Sequence, residues 1–203
     1  MIHAIDDRRS IRKFLDTSVP RDVIEEILQS GMKAPSSKNR QPWKFIVVQG
    51  EEKERMLRAF RQGLEREEKG EAFLPQSRPY IGGAKYTLEI MAQAPVSVFV
   101  VNMLGKDLMT ELTTEERVSE ICNIQSIGAS IQNMLLAATE KGIGSLWICD
   151  IYFAYPELCE WLHSDGQLVA AVAFGYPNEQ PGKRPRKAWE ETVEWRCTGV
   201  KDW

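Results

Sequence analysis

A chain of 203 residues, 43% hydrophobic and 27% charged, has the balance of an ordinary soluble globular protein and suits one domain, residues 1–203. Its formal net charge of −3 speaks against a dedicated nucleic-acid binder, and its apolar runs, such as Val96 to Val101, are far shorter than a membrane span. Met1–Asp7 turns charged at once, unlike a signal peptide. Cys122, Cys149, Cys159 and Cys197 form no CxxC pair, and only His3 and His163 accompany them, so no zinc set is expected. Free thiols in a reducing, cytoplasmic setting are the simplest reading.

The first element expected is a helix over residues 1–8. It runs into a basic cluster of Arg8, Arg9, Arg12 and Lys13 with Ser10 among them. Four cations within six residues repel one another unless an anion or carboxylates intervene. Arginine meets a phosphate with planar, bidentate donors. Asp6 and Asp7 are the alternative balance, for a merely solvated patch at a helix end.

Pro20 suits the first turn of a second helix, which reaches about Gly31 with Val23, Ile24, Ile27 and Leu28 on one face. The polar segment Pro35-Ser36-Ser37-Lys38-Asn39 then reads, by itself, as a turn. Lys44–Gln49 is β-rich and starts a strand, and Glu51–Glu68 reads as a charged, exposed helix. Residues 69–84 hold glycines and prolines with little periodicity, so the region 63–92 is the candidate for a lid.

Pro95–Asn102 is a buried strand, and Thr114–Lys141 a long helix whose Gly128, Ala129, Ser130 and Ala137 invite close approach by another helix. Ile143–Asp150 and Gln167–Gly175 are further strands, with a short helix near Tyr155–Leu162 between them. Trp147 and Cys149 close the first of these; no histidine nearby in sequence is available to activate the thiol. Residues 176–203, rich in Pro, Arg and Trp, look like an arm laid on another surface. Within it Lys183-Arg184-Pro185-Arg186-Lys187 is either an exposed basic segment or a small nucleic-acid patch. No GxGxxG turn follows a strand, so the chain should carry no Rossmann-type nicotinamide site of its own.

Two of these segments together carry a family resemblance. Arg8-Arg9-Ser10-x-Arg12 followed by Ala34-Pro35-Ser36-Ser37-x-Asn39-x-Gln41-Pro42-Trp43 closely resembles the flavin-binding start of the nitroreductase family of FMN-dependent oxidoreductases. The resemblance extends to about Arg186 and is weakest between Gly63 and Ala92. It implies that Arg8, Arg9, Ser10 and Arg12 grip the FMN phosphate and ribityl chain. It implies that the loop of Pro35, Ser36, Ser37 and Asn39 reaches the flavin bound mainly by the other subunit of a homodimer. By position, Trp147, Ile148 and Cys149 fall where a backbone N–H approaches flavin N5. Arg184 and Arg186 would return to the cofactor, one near the phosphate and one near the pyrimidine edge.

The fold implied is α+β: a mixed, largely antiparallel sheet between helices, in an intertwined homodimer whose Glu191–Trp195 segment adds a strand to the partner's sheet. The function implied is an FMN-dependent oxidoreductase that takes hydride from NAD(P)H onto flavin N5. It would then reduce a nitroaromatic, a quinone or an activated alkene by a ping-pong route, with no catalytic side chain and no metal. An oxygen-using flavin enzyme on the same fold and a non-catalytic FMN sensor or carrier are the alternatives. Relatives place an Asn and a Lys before the Pro95-type strand to meet the ring. This chain has neither there, and Lys85 and Thr87 are the candidates to replace them.

Overall fold

The computed structural model describes residues 2–196 of the chain. Cys197 and the end of the expected arm lie outside the described residues. The core is a four-stranded antiparallel sheet in the order β1-β2-β4-β3, formed by β1 (Trp43–Val48), β2 (Val96–Asn102), β3 (Gly144–Ile148) and β4 (Gln167–Gly175). Every residue of the two central strands is buried, as their unbroken apolar runs require. β3 forms one edge. There Ser10 adds a parallel bridge to Ser145, which makes the pairing mixed.

Helices cover both faces. Alternate residues of β2 send Val96, Val98 and Val100 to one core and Phe99 to the other. The first core is closed by α2 (Arg21–Met32) and α5 (Thr114–Glu140), through Ile24, Ile27, Ile127, Ile131 and Met134. The second is closed by α3 (Glu51–Lys69), α4 (Ile81–Gln93) and α6 (Tyr155–Leu162), through Met56, Phe60, Ile90, Met91 and Leu158. α1 (His3–Asp7) is a short entry turn.

α5 begins with a capping box: the Thr113 side chain accepts from the Glu116 amide, and Glu116 accepts from the Thr113 amide. The close helix approach expected at its small residues is made in part by the other partner. A Cβ on Gly31 of α2 would lie 2.7 Å from Met134 Cγ and 3.2 Å from Ser130 Oγ, so a larger residue there would force Met134 to shift.

α4 has no counterpart among the helices expected from the pattern. Gly82 and Gly83 in its first turn each cost a helix about 1 kcal/mol and conceal it, and tertiary packing of Ala84, Thr87, Ile90 and Met91 overrides them. A 3₁₀ turn, Pro75–Tyr80, leads into it. This excursion is tied down by a buried carboxylate. Glu67, 2% exposed, accepts from the amides of Phe73 (2.7 Å) and Leu74 (3.3 Å). Arg66 bonds Glu67 (2.8 Å), Glu157 (2.6 Å), Glu71 O (3.1 Å) and Phe153 O (3.2 Å). The Glu157 carboxylate in particular holds the Arg66 guanidinium above its ordinary range.

Near the end, Trp189–Thr192 forms one helical turn, α7, which takes in the first two residues of the Glu191–Trp195 segment expected to supply a strand, and the chain is extended at Val193. Among the described residues no helix is long and apolar enough to cross a membrane.

Candidate active site

The N-terminal basic strip is fastened to the sheet edge. Ile11 N–H donates to Ser145 O at 3.0 Å, beside the Ser10–Ser145 bridge. Glycine at 144 makes this possible, because a Cβ there would lie 2.9 Å from Ile11 Cγ1. The chain leaving β4 then runs back along the same strip. Phe14 bridges Pro177, Leu15 N–H donates to Tyr176 O (2.9 Å), and Asn178 N–H donates to Lys13 O (2.9 Å). Glu179 accepts from the amides of Arg12 and Lys13.

This doubling-back delivers the second basic cluster to the first. Arg8, Arg9, Ser10 and Arg12 line one cavity of about 620 Å³ together with Lys183, Arg184 and Arg186. Gln132 of α5 and Asp6 complete its polar wall. Arg9 Nη1 donates to the carbonyls of Asp6 (2.7 Å) and Arg8 (2.8 Å), Arg12 Nη1 to Ser10 O (3.3 Å), and Arg186 Nη1 to Pro185 O (3.2 Å). Among the described residues none of these six cations forms an ion pair with a carboxylate. Six cations facing one carboxylate form a well for an anion, and a phosphate monoester brings about −1.5 to −2 charges with strong acceptor oxygens. The volume also lies within the range of about 300–1,000 Å³ usual for a small-molecule or cofactor site.

The Pro35–Asn39 loop does not line this cavity. It is pinned to α5, where Ser37 N–H donates to Ser126 Oγ at 3.2 Å. Its shape is enforced. Lys38, Asn39 and Gln41 have φ of 53°, 54° and 47°, in the left-handed region that costs a non-glycine residue roughly 1–2 kcal/mol. Gln41 compensates by donating its amide to Ser36 Oγ (3.0 Å) and its side chain to Asn39 Oδ1 (3.2 Å). Pro35 and Asn39 are exposed, and Ser36 and Ser37 half-buried, so the loop presents short polar groups outward.

At the end of β3, Ile148 points into the core between α3 and α6, whereas Trp147 is exposed and lies over Gly128 of α5. Cys149 follows the last paired residue and is exposed. Although the residue as a whole is exposed, partial desolvation of its thiol, with the neighbouring Asp150 charge, pushes the pKa up, so it stays a thiol near neutrality and makes a poor nucleophile. Asp150 accepts a hydrogen bond from Thr87 Oγ1 at 2.5 Å. Lys85 turns away and pairs with Glu68 at 2.6 Å.

Lys183 and Gln132 are cavity residues that sequence reasoning did not assign. Lys183 stood in the recognised cluster. Gln132, between Ile131 and Asn133 in a helix of mixed polarity, carried no distinguishing signal.

The model of the Nitroreductase family matches residues 5–176. A nitrobenzene nitroreductase of Ectopseudomonas oleovorans is 38% identical over 193 residues, covering 85% of this chain and 84% of that protein. A structure from Desulfovibrio desulfuricans, described as a nitroreductase in complex with FMN, superposes with a TM-score of 0.70 at 26% identity, over 97% of this chain and 96% of the other. The FMN-dependent nitroreductase NfnB of Mycobacterium smegmatis, solved with NADPH, shares the fold with a TM-score of 0.74 at 20% identity, over 96% of this chain and 97% of the other.

Proposed function

The chain belongs to the nitroreductase family, and from that premise we propose that its cation-lined cavity receives the phosphate end of FMN. The protein is an FMN-dependent NAD(P)H oxidoreductase. One observation carries the assignment of the site: two basic clusters some 170 residues apart converge, unpaired, on one cavity with Ser10 between them. When bound, FMN supplies the electron transfer, from NAD(P)H to an electron-poor acceptor such as a nitroaromatic, a quinone or an activated alkene.

The chain's own residues do the rest. Arg8, Arg9 and Arg12, with Arg184, bind and orient the phosphate through charge-assisted hydrogen bonds. Arg186 supplies positive charge toward the pyrimidine edge, where it favours the reduced, anionic flavin. Trp147, Ile148 and Cys149 form the strand end beside the reacting edge of the ring, and Cys149 serves there as backbone rather than as thiolate. No side chain is required as general acid or base, and donor and acceptor occupy the same space in turn.

The site is completed in a homodimer. The Pro35–Asn39 loop, strained outward and absent from its own chain's cavity, serves the partner's flavin. The exposed apolar side chains of Val118 and Ile121 on α5 support that helix as part of the interface. The three described cysteines are unpaired, which supports a cytoplasmic setting.

The decisive experiment is an anaerobic visible spectrum of the purified protein before and after NADPH, then NADH. Flavin bands that bleach rapidly are expected, and the faster donor is the working reductant. A colourless protein that takes up no added FMN refutes the reading. Bound flavin that neither donor bleaches marks a carrier instead. Mixed dimers of Ser36→Ala with Arg12→Ala test the shared site. The heterodimer should place both lesions in one pocket and keep one full flavin site per dimer.

A further inference from the structure

Resting on the flavin reading above, we propose that Thr87 is a positioning residue that fixes the Asp150 carboxylate and, through it, the Trp147–Cys149 strand end. Thr87 is 6% exposed, while its neighbours Lys85, Tyr86 and Glu89 on α4 face solvent. A buried threonine in a helix ordinarily satisfies itself by donating to the carbonyl one turn back. Ser126 and Thr139 on α5 do this, to Cys122 O (2.7 Å) and Leu135 O (2.9 Å). Thr87 instead reaches across to another element and donates a hydrogen bond to Asp150 Oδ2 at 2.5 Å.

What it holds is the junction at residues 149–150; from Ile151 onward the chain is anchored separately, by burial of Ile151, Phe153 and Ala154 and by bonds from Tyr152 Oη to Val169 O (2.8 Å) and from Arg66 to Phe153 O (3.2 Å). The β3 ladder ends at Ile148 opposite Ala171, so sheet pairing does not reach residues 149–150. The 3₁₀ turn Asp150–Ala154 begins there, and the backbone contact at its start is local, from Tyr152 N–H to Cys149 O at 3.1 Å. Among the described residues no other side chain bonds Asp150. A charge-assisted hydrogen bond is roughly twice as strong as a neutral one, so this contact is the stronger of the two that act at residues 149–150. It turns the negative charge toward α4. Thr87 therefore acts on the reacting edge at second hand: it steadies the backbone beside it and keeps a carboxylate from swinging toward the reduced flavin.

The test compares the full chain with Thr87→Val and Thr87→Ser. In FMN-free protein, amide exchange across residues 147–152 should be about tenfold faster in Thr87→Val, return to the parent rate in Thr87→Ser, and be unchanged in β2. In loaded protein, Thr87→Val should lower the flavin midpoint potential and slow bleaching by NADPH about tenfold, with FMN affinity within about twofold of the parent. Unchanged exchange at 147–152, or acceleration throughout the molecule, overturns the proposal. So does an unchanged potential. Should Thr87→Val not fold, Asp150→Asn decides. It leaves Thr87 a neutral acceptor and removes the charge, so exchange across 147–152 should quicken by less than tenfold while the potential does not fall; exchange at the parent rate, or a lowered potential, overturns the proposal. Failure to bind FMN at all strikes the flavin reading alone, because the exchange measurement still judges the positioning.

Discussion

Arginine is used in two opposite ways in this molecule. At Arg66 the guanidinium meets two carboxylates and two backbone carbonyls, and the result is structural. In the cavity, Arg8, Arg9, Arg12, Arg184 and Arg186 form no ion pair with a carboxylate among the described residues, and they repel one another. The first cluster is complete without a ligand. The second is complete only with an anion. Charge content alone does not separate these cases; the presence of buried carboxylates within reach does.

The largest expected effect lies in the completed cluster. Glu67→Ala strips Phe73 and Leu74 amides of their acceptor and leaves Arg66 short of a partner. Removing one member of a buried pair typically costs about 3–5 kcal/mol. Chemical denaturation should show a loss near the lower figure, since Arg66 keeps Glu157, while the folded fraction still binds FMN. A neutral outcome would mean that the excursion from α3 to α4 is held by its apolar contacts instead.

The reserved cluster should respond in the opposite sense. Arg12→Ala and Arg186→Ala should each weaken FMN by about 1.5–3 kcal/mol, roughly 10- to 100-fold, and leave the FMN-free protein as stable as before or slightly more so. Equilibrium dialysis against FMN and riboflavin checks it. Only the phosphorylated flavin should lose affinity in Arg12→Ala, and only its binding should weaken as salt is raised. Either variant that purifies with a full complement of flavin removes that residue from the site.

A smaller effect comes from an exposed pair that belongs to neither extreme. Glu116 closes the α5 capping box and pairs with Lys106 at 2.5 Å, and these contacts, that with Lys106 first, lower its pKa from 4.5 to about 2. Because the folded-state value is depressed, its contribution is fully present above about pH 4.5 and is lost as pH falls through about 2. Thermal melts between pH 5 and pH 2 should fall less steeply in Glu116→Gln than in the parent. Identical slopes would show that the cap acts through Thr113 alone.

Much of this was legible in the chain itself. Apolar, β-rich runs marked the strands, since burial on both faces demands them, and the spacing of Val23, Ile24, Ile27 and Leu28 marked α2. α4 escaped because Gly82 and Gly83 weaken its local signal, and only packing of its buried face restores it. Both basic clusters and the Pro35–Asn39 motif were visible as types of residue. That Glu67 would be buried under Phe73 and Leu74, and that Thr87 would bond Asp150 instead of its own helix, left no trace in spacing or composition.

The sequence by itself determined the α+β class, the family and the residues able to hold a phosphate, because local periodicity and short motifs are properties of neighbours along the chain. The family resemblance led one to expect residues 184 and 186 near residues 8–12 and the Pro35–Asn39 loop apart from both; the tertiary structure supplied the contacts that bring the first about, and added Lys183 and Gln132 to the cavity. Those outcomes depend on how β4's exit pairs with the N-terminal strip at the sheet edge. Such pairing joins segments more than 160 residues apart, and no local propensity encodes a partner at that distance.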